Sequence, residues 1–208
     1  MKHLVGLLAL APLFGQTGAQ LEAHGVSVAD VMYRGKAGVR VDALPTAANG
    51  QSYAIVKGSR FHNGTIEVEL AGKPSANAGS GARGFIGIAF RLQGSRYEYI
   101  YLRPTNGRAD DQVRRNHSTQ YASAPDFDFD RLRKESPEKY ESYVDIEPGV
   151  WTRYRIVVDG TKAMLFVHGS AQPCLFVTDM KLGDSQGAVA LWVGPGTEGY
   201  FANLKVTE

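Results

Sequence analysis

Thr65-Ile66-Glu67-Val68-Glu69-Leu70 alternates polar and apolar side chains without a break, so Ile66, Val68 and Leu70 share one face of an extended strand. A period of two cannot bury one face of a helix, and it recurs along the chain. Further strand signals lie at residues 39–41, 53–57, 85–91, 97–103, 151–158, 162–168, 175–178, 187–193 and 200–206. Gln93-Gly94-Ser95 bridges two of these runs. Asp159-Gly160 joins two others and reads as a hairpin, because both residue types tolerate positive φ. The 24 glycines in 208 residues exceed the usual share of about 7% and supply turns between short strands. Short strands separated by glycine-rich turns predict an all-β sandwich or barrel. The length suits one domain, with no internal repeat and no linker.

The first residues have a different character. Lys2 and His3 precede an apolar run over residues 4–14, and Thr17-Gly18-Ala19 offers small residues for cleavage. Residues 1–19 therefore read as a signal peptide and 20–208 as the folded domain. The run of about eleven residues falls short of the about 20 needed to span a bilayer, and no later segment is long enough either. Export, to the periplasm or beyond the cell, is the expected destination. Cys174 is the lone cysteine, so no internal disulfide can form and a buried small side chain is its expected role. An exported protein without disulfides fits a bacterial envelope. A net charge of +2 gives no reason to expect nucleic acid as a partner, and nothing implies a cofactor.

Strand parity selects the candidate site. In residues 97–103, Ile100 and Leu102 share one face with Glu98, whereas Tyr97, Tyr99, Tyr101 and Arg103 share the other. The preceding strand divides the same way, with Ile86, Ile88 and Phe90 against Gly87, Ala89 and Arg91. The apolar sets belong to the core. Tyrosine and arginine on the opposite face suit a glycan: an aromatic face covers a sugar ring, a phenol hydrogen-bonds, and guanidinium grips carboxylates, sulfates or hydroxyl pairs. Residues 105–148 turn polar and read as a long functional excursion. It carries Arg114, Arg115, Asn116 and His117, then Asp126-Phe127-Asp128-Phe129-Asp130. Residues 71–83 read as a second loop. Glu98 on the apolar parity is expected either at a rim or buried against an arginine, because an unpaired buried carboxylate is costly. The three aspartates lack the glycine and distal glutamate of an EF-hand loop, so no metal is expected.

Gly84-Phe85-Ile86-Gly87-Ile88-Ala89-Phe90-Arg91, the strand opening Tyr97-Glu98, and the closing Gly187-Ala188-Val189-Ala190-Leu191-Trp192 and Tyr200-Phe201-Ala202-Asn203-Leu204-Lys205-Val206 carry a resemblance. The chain resembles the concanavalin A-like lectin/glucanase superfamily, in particular secreted bacterial keto-disaccharide hydrolase-like and laminin-G-like domains. That resemblance implies a two-sheet antiparallel jelly-roll sandwich and an oligo- or polysaccharide held on the concave sheet face. It specifies fold better than activity. The Glu-x-Asp-x-x-Glu strand of family 16 glycoside hydrolases is absent: Glu67-Val68-Glu69 is the nearest match and Gly72 stands at its end. The Arg-Glu-Arg and Gln-Ile-His patterns of jelly-roll lyases are absent too. The expectation is a carbohydrate-binding domain using Arg91, Tyr97, Tyr99, Tyr101, Arg103, Arg114, Arg115 and Asn116. The alternatives are a glycoside hydrolase drawing on Glu98, Asp128 and His117, and an envelope domain that docks a protein partner.

Overall fold

A computed structural model describes residues 17–47 and 51–208. The expected signal peptide thus falls largely outside the described residues, which begin with a single 3-10 turn at Gly18–Gln20. The strands are β1 (Leu21–His24), β2 (Val26–Tyr33), β3 (Lys36–Ala43), β4 (Tyr53–Val56), β5 (Gly64–Pro74), β6 (Ile86–Gln93), β7 (Arg96–Leu102), β8 (Thr119–Ala124), β9 (Glu141–Ser142), β10 (Thr152–Asp159), β11 (Lys162–Val167), β12 (Leu175–Val177), β13 (Ala188–Val193) and β14 (Thr197–Thr207). Two short helices, α1 (Gln112–Asn116) and α2 (Phe129–Glu135), flank β8. The strands form two seven-stranded sheets, ordered β1-β4-β13-β6-β7-β8-β9 and β12-β11-β10-β5-β14-β3-β2. Every pairing between these strands is antiparallel. This is the expected jelly-roll sandwich.

The core forms where the alternation places it. Ile66, Val68 and Leu70 of β5 and Tyr154, Ile156 and Val158 of β10 are buried on the second sheet. They face Ile86, Ile88, Ile100, Leu102 and Leu191 of the first. The Tyr154 hydroxyl crosses the sandwich to donate to the Ile100 carbonyl at 2.7 Å, satisfying a phenol that burial would otherwise strand. The Asp159-Gly160 hairpin is present, with Asp159 opposite Lys162 and Gly160 at φ 55°.

Four expectations change. Strands β1 and β2 precede the first strand legible in the sequence. Residues 71–83 are not wholly loop, since β5 runs on to Pro74 and pairs with β14. The excursion 105–148 is not all loop: it supplies β8 and β9, which extend the first sheet beyond β7. Arg91 departs from its strand parity because the β6–β7 register shifts between Phe90 and Gln93, with Arg91 at φ 54°. A bulge of this kind turns a side chain onto the other face.

Candidate functional site

The outer face of the first sheet carries a pocket built on aromatic rings. Tyr97, Tyr99 and Tyr101 of β7 and Trp192 of β13 form its base, although β6 lies between those strands. Gly87 sits opposite both Trp192 and Tyr101, and Ala89 opposite both Ala190 and Tyr99. These small residues let rings from the flanking strands meet above β6. The Trp192 ring centroid lies 5.0 Å from that of Tyr99 and 4.9 Å from that of Tyr101. Tyr99 and Tyr101 stack at 5.5 Å, 15° from parallel. A Cβ at Gly87 would meet the Ile100 carbonyl oxygen at 2.1 Å, so glycine is required for β6 to lie this close to β7.

Phe85, Phe129, Pro125 and Pro195 wall the pocket, and Gln51, Ser95 and Asp128 add polar groups. Its volume of about 350 Å³ lies within the general range for small-ligand sites. Burial pushes the hydroxyls of Tyr97, Tyr99 and Tyr101 above the ordinary phenol value, so each keeps its proton. Tyr97 hydrogen-bonds Trp192, and the Tyr101 hydroxyl accepts from Arg103 Nη2 at 3.1 Å. Tyr99 differs. It is only 7% exposed, and its hydroxyl has no hydrogen-bond partner among the described residues.

Asp128 stands at the mouth as the N-cap of α2, where its Oδ1 accepts from Arg131 N at 2.8 Å. A short polar side chain before a helix takes this position because its oxygen satisfies an otherwise orphaned N–H. Asp126, Asp128 and Asp130 do not converge on a metal position, and no group of three or more potential ligands does so among the described residues.

The structure disperses most of the other residues chosen from sequence. Glu98 is fully buried on the core side, away from the pocket. Its carboxyl accepts from the Tyr121 hydroxyl and from Leu182 N, both at 2.7 Å, and burial pushes its pKa up. Arg91, also fully buried, donates to the carbonyls of His62 and Gly183 and to Asn63. The two side chains clamp neighbouring points of one loop, residues 181–184, onto the sheet, and neither lines the pocket.

Arg103 lies just behind the pocket. Its guanidinium sits 5.2 Å from the Tyr101 ring centroid and 5.5 Å from that of Phe129. Its donors are committed to Glu141, Gln120, Tyr101 and the His117 carbonyl. Glu141 is gripped by Arg133 as well, and the two arginines hold its carboxyl below the usual range despite the opposing effect of burial. His117 Nε2 stands 3.6 Å from Glu141 and 3.8 Å from Glu138, outside the pocket. On α1, Arg114 reaches back to Asn106, Arg115 donates to the Tyr143 hydroxyl, and Asn116 accepts from Gln112. None of these three faces the pocket.

Of the residues chosen from sequence, Tyr97, Tyr99 and Tyr101 line the pocket, as does Asp128, expected as a catalytic carboxylate rather than a binding residue; Trp192, Phe85 and Phe129 line it without having been chosen. Trp192 has the correct parity in its strand. Its approach to tyrosines some ninety positions earlier depends on strand order, which local pattern does not carry.

No protein-family model matches the sequence, and no curated protein does. Solved structures do match in fold. A carbohydrate-binding module, CBM66 from Bacillus subtilis, aligns over 89% of this chain and 97% of its own, with TM-score 0.59 at 12% identity. A supposed glycosyl hydrolase from Parabacteroides distasonis aligns over 95% and 98%, with TM-score 0.56 at 10% identity. A Bacillus subtilis protein of unknown function with a galectin-like fold aligns over 88% and 86%, with TM-score 0.54 at 9% identity. With its two antiparallel seven-stranded sheets, the chain has the jelly-roll sandwich fold that these structures share.

Proposed function

We propose that this protein is an exported carbohydrate-binding domain that seats a saccharide in the pocket of Tyr97, Tyr99, Tyr101 and Trp192. The observation that carries the reading is the aromatic lining itself: the rings of Tyr99, Tyr101 and Trp192 meet above β6 at a cavity of about 350 Å³, and no hydrogen bond claims the Tyr99 hydroxyl among the described residues. A phenol hydroxyl that borders a cavity without a partner inside the protein can both donate to and accept from a ligand. The surrounding rings supply the apolar faces on which a sugar ring stacks, and the phenol supplies the hydrogen bond that orients it. The likeness to a carbohydrate-binding module supports the same reading.

Cleavage is the weaker alternative. Most glycosidases need two carboxyl groups flanking the bond. Asp128 is the single carboxylate among the described lining residues, and Glu98 faces the core.

A glycan microarray followed by calorimetry tests the binding. Trp192→Ala, which removes a stacking platform, should weaken capture of the glycan by about tenfold or more, equivalent to a loss of at least about 1.4 kcal/mol. Tyr99→Phe, which keeps the ring, should weaken it by a smaller factor. Binding unchanged in both variants refutes this location.

A further inference from the structure

We propose, building on the saccharide-binding reading, that the pocket selects uncharged saccharides and that Asp128 enforces the choice by accepting sugar hydroxyls. The inference comes from where the charges go. No lysine, arginine or histidine is among the described lining residues, and Asp128 is the single ionisable acid there. The cations close by are committed elsewhere. Arg103 and Arg133 both pair with Glu141. Arg131 turns to Glu135 and to the Asp126 carbonyl, and Lys134 to Asp130. The guanidinium groups that the sequence offered to a uronate or sulfate are thus spent inside the protein.

The unspent polar groups favour a polyol. Asp128 Oδ1 caps α2, and Oδ2 has no partner among the described residues. A carboxylate oxygen accepts and cannot donate, so its complement is a hydroxyl. Asp128 and Tyr99 both line the pocket, so the acid and the phenol border the same space. A neutral sugar can donate to Asp128 while exchanging a hydrogen bond with Tyr99 and lying against Trp192. A uronate, sulfate or phosphate brings a second negative charge beside Asp128 with no free cation in the lining, and like charges at close range oppose binding.

The test uses an array of neutral oligosaccharides beside uronate- or sulfate-bearing counterparts, probed with the full chain, Asp128→Asn and Trp192→Ala. Asparagine is as good an N-cap as aspartate, so Asp128→Asn keeps α2 and its melting temperature. The wild-type protein should capture neutral glycans and pass over their anionic counterparts. Asp128→Asn should lose about ten- to a hundredfold on the neutral ligand, as expected for losing a hydrogen bond to a charged acceptor, because the amide oxygen stays on the cap and the Nδ2 that replaces Oδ2 donates and cannot accept. It should also raise anionic binding relative to neutral. Anionic glycans captured as well as or better than neutral ones by the wild-type protein overturn the selectivity, as does unchanged neutral binding in Asp128→Asn. Capture unaffected by Trp192→Ala, or no capture of either class, overturns the saccharide pocket itself and the selectivity with it.

Discussion

Replacing Glu98 separates a structural carboxyl from a catalytic one. Glu98 has zero exposure and satisfies two donors, the Tyr121 hydroxyl and Leu182 N, each at 2.7 Å. Tyr121 is equally buried and already accepts from Lys181 N. Glu98→Leu strands both donors at about 1–3 kcal/mol each, so it should destabilise the fold by about 2–6 kcal/mol. Glu98→Gln keeps an acceptor for Leu182 and strands only the Tyr121 proton, at about 1–3 kcal/mol.

The charge adds a pH signature. Burial raises the folded pKa of Glu98 above its unfolded value. Its contribution is therefore fully present below the ordinary carboxylate range and is lost as pH rises through the folded value. The stability gap between wild type and Glu98→Gln should narrow as pH is raised from acid toward neutral. Urea unfolding followed by fluorescence of Trp151 and Trp192 measures both quantities. Glycan binding by the folded fraction should stay at the wild-type level, because Glu98 lies across the sheet from the pocket. A Glu98→Leu protein that unfolds at the wild-type urea concentration, or keeps its stability while losing function, refutes the structural role.

Two other perturbations test the surroundings. Glu141→Gln removes the counter-charge of buried Arg103 and should cost about 3–5 kcal/mol at neutral pH. Because the arginines hold Glu141 below its unfolded pKa, its contribution is present above that value and lost as pH falls through the folded one. The difference from wild type in urea melts should therefore shrink on acidification, and a constant difference down to pH 3 would contradict the pairing. Export should remove residues 1–19. Mass spectrometry of envelope material from a bacterial host should find a start near Gln20, which leaves β1 whole from Leu21, and an intact Met1 on exported protein would count against the signal peptide.

Local pattern settled much of this protein. The alternation at Thr65-Ile66-Glu67-Val68-Glu69-Leu70 placed Ile66, Val68 and Leu70 in the core, because side chains alternate across any strand whatever its neighbours. The same rule put Ile100 and Leu102 inside and Tyr99 and Tyr101 on the outer face, and Asp159-Gly160 announced its hairpin. Parity failed at Arg91, where a bulge reversed a side chain that a regular strand would have aimed at the pocket. It also left Glu98 ambiguous, since one strand does not reveal that Tyr121 and Leu182 stand ready to satisfy a buried carboxyl. Neither residue is near Glu98 in the chain. The arginines show the same limit. Composition offered Arg91, Arg103, Arg114 and Arg115 to a ligand, whereas Glu141, Gln120, Tyr143 and the loop carbonyls claimed them first. Only strand order brought Trp192 over Gly87 to the tyrosines and so made a pocket from an aromatic strand. Period-two alternation is a property of a single strand, but a cavity and the partners of a charge arise from contacts between strands distant in sequence, and those are decided by the packed sheet.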